Sequence, residues 1–187
     1  MLPGAKSPPY AATVKRQPIP AGQLNVRIHD LWDEQWFLLT AGDFAARDFN
    51  TMTVSWGSLG VIWNRPFAQV VVRPGRHTFG FIERHATFTL CAFPEECRAA
   101  LSLLGSKSGR DGNKIAEAGL TPTAATTVAA PVFAEAELAL ECRKIYSDDF
   151  DPKRFLDPTI EQNYPKKDYH RIYYGEIVAI TGTAHFR

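Results

Sequence analysis

Residues 136–146 (AELALECRKIY) form the longest stretch of this sequence in which apolar and polar residues alternate. The apolar positions in this stretch include Leu138, Leu140 and Cys142. A period of two residues is typical of a strand that buries one face. Shorter strand-like runs occur at residues 36–40, 51–56, 68–73, 86–91 and 171–180. Since every apolar strand face needs a partner that covers it, the chain is expected to build a sheet around one core.

Helical patterns are fewer and lie between the strands. They cover residues 77–83, residues 94–104 and a third helix that Asp111 is expected to cap and Gly119 to end. Most strands are separated by loops rather than by regular helices, which disfavours a parallel βαβ sheet. The pattern therefore predicts a mainly β protein, an antiparallel barrel with a few peripheral α-helices.

Length, charge and cysteine content limit the organisation and the partners of the chain. At 187 residues, one domain is expected at residues 23–187, after a Pro-rich N-terminal arm at residues 1–22 that either is unstructured or wraps a partner subunit. A net charge of +1 argues against nucleic-acid binding by bulk electrostatics. No apolar run approaches the roughly 20 residues of a membrane helix. Three cysteines without a CxxC pair, and a start without a secretory signal, favour a cytoplasmic protein.

Residues 50–56 (NTMTVSW) combine the period of a strand with many hydrogen-bonding groups. The hydroxyl residues Thr51, Thr53 and Ser55 alternate with Met52, Val54 and Trp56. One face is therefore apolar, while the other offers hydroxyl groups to a flat ligand with a polar edge.

Two further segments carry groups that suit a phosphate, residues 73–78 (RPGRHT) and residues 105–111 (GSKSGRD). Arginine offers a planar fork of donors, and backbone N–H groups before a helix hold anions. Residues 105–114 do not satisfy the Walker pattern, because Gly109 and Gly112 are not followed by Lys-Ser/Thr. Taken alone, residues 105–114 are as consistent with a linker between helices as with a phosphate site, and residues 73–78 are more consistent with a solvated surface turn.

No metal site or catalytic side chain is expected. None of the five histidines has the HExxH or CxxC spacing of a zinc site. The chain has no GxSxG nucleophile elbow, which disfavours a hydrolase. Cys91 and Cys142 lie on apolar strand faces, where a core position is more typical than a nucleophile.

Taken in order, these segments resemble the flavin reductase-like family with an FMN-binding split barrel, the flavoredoxin group in particular. The resemblance covers about residues 35–182. It rests on residues 50–56, 64–66, 72–78, 106–111 with Lys114, 118–122 and 170–177. Residues 146–169, an insertion outside the minimal family pattern, are expected to shape the substrate side of the flavin.

The resemblance implies an antiparallel split β-barrel that forms a homodimer and binds FMN near the subunit interface. Residues 50–56 would follow the isoalloxazine ring, and residues 76–78 and 106–114 would meet the phosphate. Arg73 would either contact the cofactor or support its turn. The implied cofactor-binding residues are Asn50, Thr51, Met52, Thr53, Ser55, Trp56, Arg73, Arg76, His77, Thr78, Ser106, Lys107, Ser108 and Lys114.

The function implied by this resemblance is that of an FMN oxidoreductase. NAD(P)H would reduce FMN, and reduced FMN would pass electrons to an unknown acceptor, so that the chemistry takes place on the cofactor. A non-catalytic FMN-binding electron carrier or sensor is the alternative. A related barrel that binds haem is a weaker one, because no axial histidine is well placed.

Overall fold

The computed structural model describes residue 10 and residues 13–187. Ten strands lie in this part of the chain. They are β1 (Gln17–Pro18), β2 (Phe37–Asp43), β3 (Asp48–Val54), β4 (Gly57–Ile62), β5 (Arg65–Val72), β6 (Thr87–Ala92), β7 (Pro122–Thr123), β8 (Val132–Phe133), β9 (Leu138–Asp149) and β10 (Arg171–Gly182).

The helices are short and lie at the periphery. They are α1 (Ile28–Asp30), which continues into a π-helical turn at Leu31–Gln35, α2 (His77–Arg84), α3 (Arg98–Ser106) and α4 (Lys114–Ala118). Single 3₁₀ turns cover Ala21–Gln23, Glu95–Cys97, Gly109–Asp111, Pro152–Arg154, Pro158–Asn163 and Ala184–Phe186. Within the described residues, no helix is both long enough and apolar enough to span a bilayer.

The main sheet is antiparallel and has the strand order β3-β2-β6-β9-β10-β5-β4, with β1 paired to β10. Strands β3 and β4 stand at opposite ends of this order, although only residues 55–56 separate them in the chain. Such a link spans at most about 11 Å, so the two ends of the sheet lie close together. The sheet therefore curls into a barrel with an open seam between β3 and β4. The predicted mainly β split barrel with peripheral helices is confirmed.

The core occupies both faces of the central strands. Phe37 and Leu39 of β2 are fully buried inside the barrel, while Leu38 between them packs in a second cluster with Leu101 and Leu104 of α3. Complete burial of such side chains contributes about 1.5–3 kcal/mol each. Helix α3 is therefore held against the outer face of the sheet, and its C-terminal end is fixed beside β3.

The helix that precedes Gly119 begins later than predicted. The expected cap, Asp111, lies in a 3₁₀ turn, and the side chain of Asn113 instead accepts a hydrogen bond of 3.1 Å from the backbone N–H of Ala116. Gly119 ends the helix in a left-handed conformation with φ of 71°, as predicted. The Asn113 cap shortens the helix to α4 and leaves residues 107–112 as a loop.

The described part of the N-terminal arm packs on the domain itself. Gln17 and Pro18 extend the sheet beside β10, and Ile19 is buried in the barrel core. Arg16 donates a hydrogen bond of 2.8 Å to the carbonyl oxygen of Phe133. The rest of the predicted arm, residues 1–9, 11 and 12, lies outside the described residues. A domain boundary at residue 22 stays a prediction.

The predicted insertion at residues 146–169 leaves and rejoins the sheet between β9 and β10. Its first residues belong to β9, which continues to Asp149. Beyond that strand, the ring of Tyr164 stacks on Phe155 at a centroid distance of 6.0 Å and lies 5.0 Å from Tyr169. The insertion is therefore a packed aromatic unit next to the start of β10.

Candidate functional site

A groove follows the C-terminal half of β3 along the barrel seam and continues over the start of α2. It has two adjoining parts, which share Met52 and Arg76. The seam pocket, about 230 Å³, lies between β3 and the start of β10. The basic pocket, about 160 Å³, lies between the turn at residues 75–78 and the loop at residues 104–114.

The two pockets contain all of the predicted site residues except Asn50 and Thr51. The seam pocket is lined by Met52, Thr53, Ser55, Trp56, Arg73 and Arg76 among the predicted residues. The basic pocket is lined by Met52, Arg76, His77, Thr78, Ser106, Lys107, Ser108 and Lys114. Three segments far apart in the sequence therefore meet in one continuous groove.

The hydroxyl groups of β3 form hydrogen bonds within the protein. Thr51 is fully buried, and its Oγ1 donates a hydrogen bond of 2.9 Å to the carbonyl oxygen of Leu39. The Oγ1 of Thr53 donates to the carbonyl oxygen of Leu101 at 2.5 Å. The hydroxyl of Thr51 thus lies outside the groove, and that of Thr53 ties β3 to α3.

Asn50 connects β3 to the helix that begins beside the groove. Its Nδ2 donates a hydrogen bond of 2.7 Å to Oγ1 of Thr78, and both residues are buried. Asn50 also lines an adjoining cavity of about 730 Å³, which shares His77, Gly109 and Lys114 with the basic pocket. Asn50 therefore positions the first turn of α2 and lines neither of the two pockets.

Two arginines join the walls of the basic pocket to each other. Nη1 of Arg76 donates a hydrogen bond of 2.9 Å to the carbonyl oxygen of Gly105, at the end of α3. In the opposite direction, Nη1 of Arg110 reaches the carbonyl oxygen of Gly75 at 3.4 Å. Because these bonds use neutral acceptors, both guanidinium groups keep their full charge for an anion.

Lys114 places a buried charge at the base of the basic pocket. Its side chain is almost fully buried, and Nζ donates to the carbonyl oxygens of Leu104 and Lys107 at 2.9 and 3.0 Å. Burial, and secondarily the nearby charge of Arg76, lowers the pKa of Lys114 to about 8. Both effects disfavour the charged form, so an anion beside Nζ would stabilise the ammonium group.

The basic pocket as a whole carries an excess of positive charge. Lys107 is paired with Glu117 at 2.6 Å, but among the described residues no carboxylate lies within 4.0 Å of Arg76, Arg110 or Lys114. The pKa of His77 is lowered by burial and by neighbouring cations, of which Arg110 has the largest effect. A dianionic group in this pocket would relieve this repulsion.

Arg73 turns away from the basic pocket. Its Nη1 forms an ion pair with Asp168 at 2.7 Å, its Nη2 donates to the carbonyl oxygen of Asn163 at 2.8 Å, and its guanidinium lies over the ring of Tyr164. Arg73 therefore fastens the insertion to the turn at residues 73–76, which matches the supporting role that the sequence left open.

His170 is a lining residue that the sequence-based prediction missed. It is only 8% exposed, its Nδ1 lies 2.9 Å from the hydroxyl of Tyr164, and its ring lies 5.3 Å from that of Trp56. Burial is the main cause that lowers the pKa of His170 to about 4, so the imidazole is neutral near pH 7. The available signal was its place at the start of the matched residues 170–177.

The other missed lining residues are small or apolar, apart from Arg110, which belongs to the basic segment at residues 105–111 but was not among the predicted contacts. They are Val54 and Val71 in the seam pocket, and Gly75, Leu104, Gly109 and Arg110 in the basic pocket. Within the described residues, no group of three His, Cys, Asp or Glu side chains is arranged to hold a metal ion.

The sequence of residues 34–185 matches the family model described as the flavin reductase like domain. This chain belongs to the flavin reductase-like family. The membership confirms the family that the ordered motifs indicated, and the matched residues include the whole groove. No curated protein matches the chain in sequence.

Solved structures of other flavin reductase-like proteins share the fold of this member. An FMN-binding domain of a flavin reductases-like enzyme from Shewanella baltica OS155 is 17% identical, with a TM-score of 0.67, over 95% of this chain and 84% of that one. Flavoredoxin from Methanosarcina acetivorans is 22% identical, with a TM-score of 0.64, over 82% and 70%. Component B of nitrilotriacetate monooxygenase from Bacillus cereus is 16% identical, with a TM-score of 0.64, over 82% and 72%.

Proposed function

We propose that this protein binds FMN in the groove and acts as an oxidoreductase that carries electrons from NAD(P)H through FMN to a second acceptor. The observation that carries the proposal is the continuity of the seam pocket with a basic pocket that holds three cations, none of which has a carboxylate partner among residues 13–187. Similarity to an FMN-binding enzyme domain supports the same cofactor.

The residues present fit the two chemically distinct ends of FMN. The seam pocket offers the apolar side chains of Met52, Val71 and Trp56 to a flat aromatic ring, together with the neutral imidazole of His170. The basic pocket offers guanidinium, ammonium and hydroxyl donors to a phosphate dianion. The seam pocket therefore suits the ring of FMN, and the adjoining basic pocket suits its phosphate.

The loop at the phosphate end depends on a residue without a side chain. A Cβ atom at Gly109 would lie 2.3 Å from Oδ1 of Asn50 and 2.8 Å from Cδ2 of His77. The absence of that atom lets the loop approach β3 and α2 closely enough to close the basic pocket. Gly109 thus contributes to the site by the close contact of its backbone.

The roles of the protein are binding, orientation and control of the local charge. When bound, FMN supplies the capacity to accept a hydride from a nicotinamide and to pass electrons on. Arg76 and Lys114 would neutralise the phosphate, while Met52 and Trp56 would pack against the ring. His170 would keep a neutral, hydrogen-bonded edge beside it, because its pKa of about 4 lies below the working range.

The visible absorption spectrum of the purified protein tests this function. We expect bound or readily added FMN to give a flavin spectrum, which NADH or NADPH bleaches under anaerobic conditions. A protein that stays colourless after addition of FMN would refute the cofactor assignment. Bound FMN that neither nicotinamide reduces would instead indicate the electron carrier.

We also propose that the protein is a homodimer, with a partner subunit over the seam. The seam is bordered by exposed apolar side chains, with Trp56 47%, Val61 75% and Trp63 59% exposed. Light scattering after size exclusion should give twice the mass of the 20.8 kDa chain. A monomer at micromolar concentration would contradict the proposal.

A reducing, cytoplasmic setting is proposed as well, since the three cysteines are free and buried.

The lowered pKa of Lys114 predicts that FMN affinity falls as the pH rises through about 8. Below that pH the ammonium is charged and attracts the phosphate, which is already a dianion above its second pKa of about 6. Above it, neutral Lys114 still donates to two carbonyl oxygens but loses its charge, so the dissociation constant should rise roughly tenfold. Fluorescence titration with FMN between pH 7 and 9.5 measures this change.

Riboflavin provides the control for this pH dependence, because it has the same ring without the phosphate. Its affinity should stay level over the same pH range. A flat profile for FMN would show that Lys114 does not face the phosphate, whereas a parallel fall for riboflavin would place the titrating group at the ring.

A further inference from the structure

Another groove, of about 440 Å³, opens beside the seam pocket, between the turn at residues 73–76 and the insertion. The turn contributes Arg73, Gly75 and Arg76. The insertion contributes Asn163, Pro165, Lys166 and Asp168. This groove, called here the insertion groove, shares Arg73 and Arg76 with the seam pocket, so the two sites adjoin each other.

Arg73 holds the shape of the insertion groove. Its contacts with Asp168 and Asn163, both at hydrogen-bond distance, join the two walls, and its guanidinium covers the ring of Tyr164 at 5.0 Å. Tyr164 in turn meets His170 in the seam pocket. The wall formed by the insertion is thus connected to the seam pocket by direct contacts and is preformed.

The charges of the insertion groove select an anion. Arg73, Arg76 and Lys166 line it against a single carboxylate, Asp168, which Arg73 already neutralises. Lys166 is exposed, and no carboxylate among the described residues lies within 4.0 Å of it. Arg76 also borders the basic pocket, so its charge is counted once for both sites. Arg76, Arg110, Lys114 and Lys166 together carry four positive charges, which match the two negative charges of the FMN phosphate and the two of a pyrophosphate.

We propose that the insertion groove binds the phosphate groups of the nicotinamide dinucleotide that reduces the flavin, with Lys166 as a binding contact. The inference rests on the proposed function. A nicotinamide that reaches the seam pocket carries its pyrophosphate one ribose away, and the insertion groove is the adjoining basic surface that is built for a second anion. The insertion would thereby contribute to binding of the electron donor.

The test replaces Lys166 by alanine in the full-length, FMN-loaded protein. Lys166→Ala should raise the KM for NADPH or NADH about fivefold, because it removes one exposed charged contact to a phosphate, and it should leave kcat unchanged. Calorimetric titration with NADP⁺ or NAD⁺, which do not react, should show the same loss of affinity. The matched control is Lys153→Ala, a lysine of the same insertion that does not line the groove.

Binding of FMN separates failure of this inference from failure of the proposed function. If the protein binds FMN and is reduced by a nicotinamide, but Lys166→Ala and Lys153→Ala behave alike, the inference is overturned. If neither FMN nor a nicotinamide acts on the wild-type protein, the proposed function itself has failed. A rise in KM for Lys166→Ala with unchanged FMN affinity supports the insertion groove.

Discussion

Replacement of Arg76 by alanine is expected to weaken FMN binding by roughly 10- to 100-fold, since a charge-assisted contact to a phosphate contributes about 1.5–3 kcal/mol. Arg76 lies where the seam pocket and the basic pocket meet, and no carboxylate in the described part of the chain reduces its charge. Fluorescence titration of the apoprotein with FMN gives the dissociation constant of each variant.

The Arg76→Ala variant requires a control, because it removes the hydrogen bond to Gly105 that holds the loop as well as the positive charge. Riboflavin separates the two effects: the Arg76→Ala variant should bind it almost as the wild type does. Arg84→Ala, at the end of the helix that follows Arg76 and outside the groove, should leave both affinities unchanged. Equal losses for FMN and riboflavin would mean that Arg76 supports the loop and does not bind the phosphate.

Gly175→Ala is expected to destabilise the barrel by about 2–3 kcal/mol, the usual cost of overpacking a filled core. The added Cβ atom would lie 2.5 Å from Cζ of Phe88 and 2.8 Å from Cβ of Cys142, and both neighbours are fully buried. Neither can move without disturbing the pairing of β6, β9 and β10. For a chain of this length, the melting temperature should fall by roughly 5–10 °C, measured by calorimetry on the apoprotein.

Gly22→Ala is the matched control, since a Cβ atom there meets no other atom within 4 Å. Its melting temperature should stay within about 1 °C of the wild type, because surface changes away from special contacts are nearly neutral. The register of β9 and β10 shifts between Tyr174 and Gly175. An equally stable Gly175→Ala variant would show that Phe88 has room to move, and that close packing at this shift is not required.

The alternating pattern was sufficient to predict the sheet, because the period of two residues arises from the backbone of each strand. The apolar set Leu138, Leu140 and Cys142 is fully buried, as the pattern indicated.

Helix ends were less predictable. Asp111 and Asn113 are both capable caps, and the choice of Asn113 depends on how the loop folds over β3 and α2.

The hydroxyl residues of β3 show a different limit of the sequence. Their alternation indicated a face that binds a ligand, whereas Thr51 and Thr53 bond to the carbonyl oxygens of Leu39 and Leu101. A hydroxyl group suits a backbone carbonyl as well as a ligand, and only the neighbouring strand and helix decide between them. The same reasoning explains why Arg73 contacts Asp168 of the insertion, although its sequence neighbours suggested an anion site.

The sequence by itself determined the family, the antiparallel barrel and the three segments that carry donors, because these follow from local periods and from ordered motifs. Only the tertiary structure decided how those donors are used. It joined the segments into one groove, added His170 as a neutral wall, and left Arg76, Arg110 and Lys114 without a carboxylate partner in the described chain. The reason is physical: charge balance and burial depend on neighbours that are distant in sequence and are brought together only when the sheet closes at its seam.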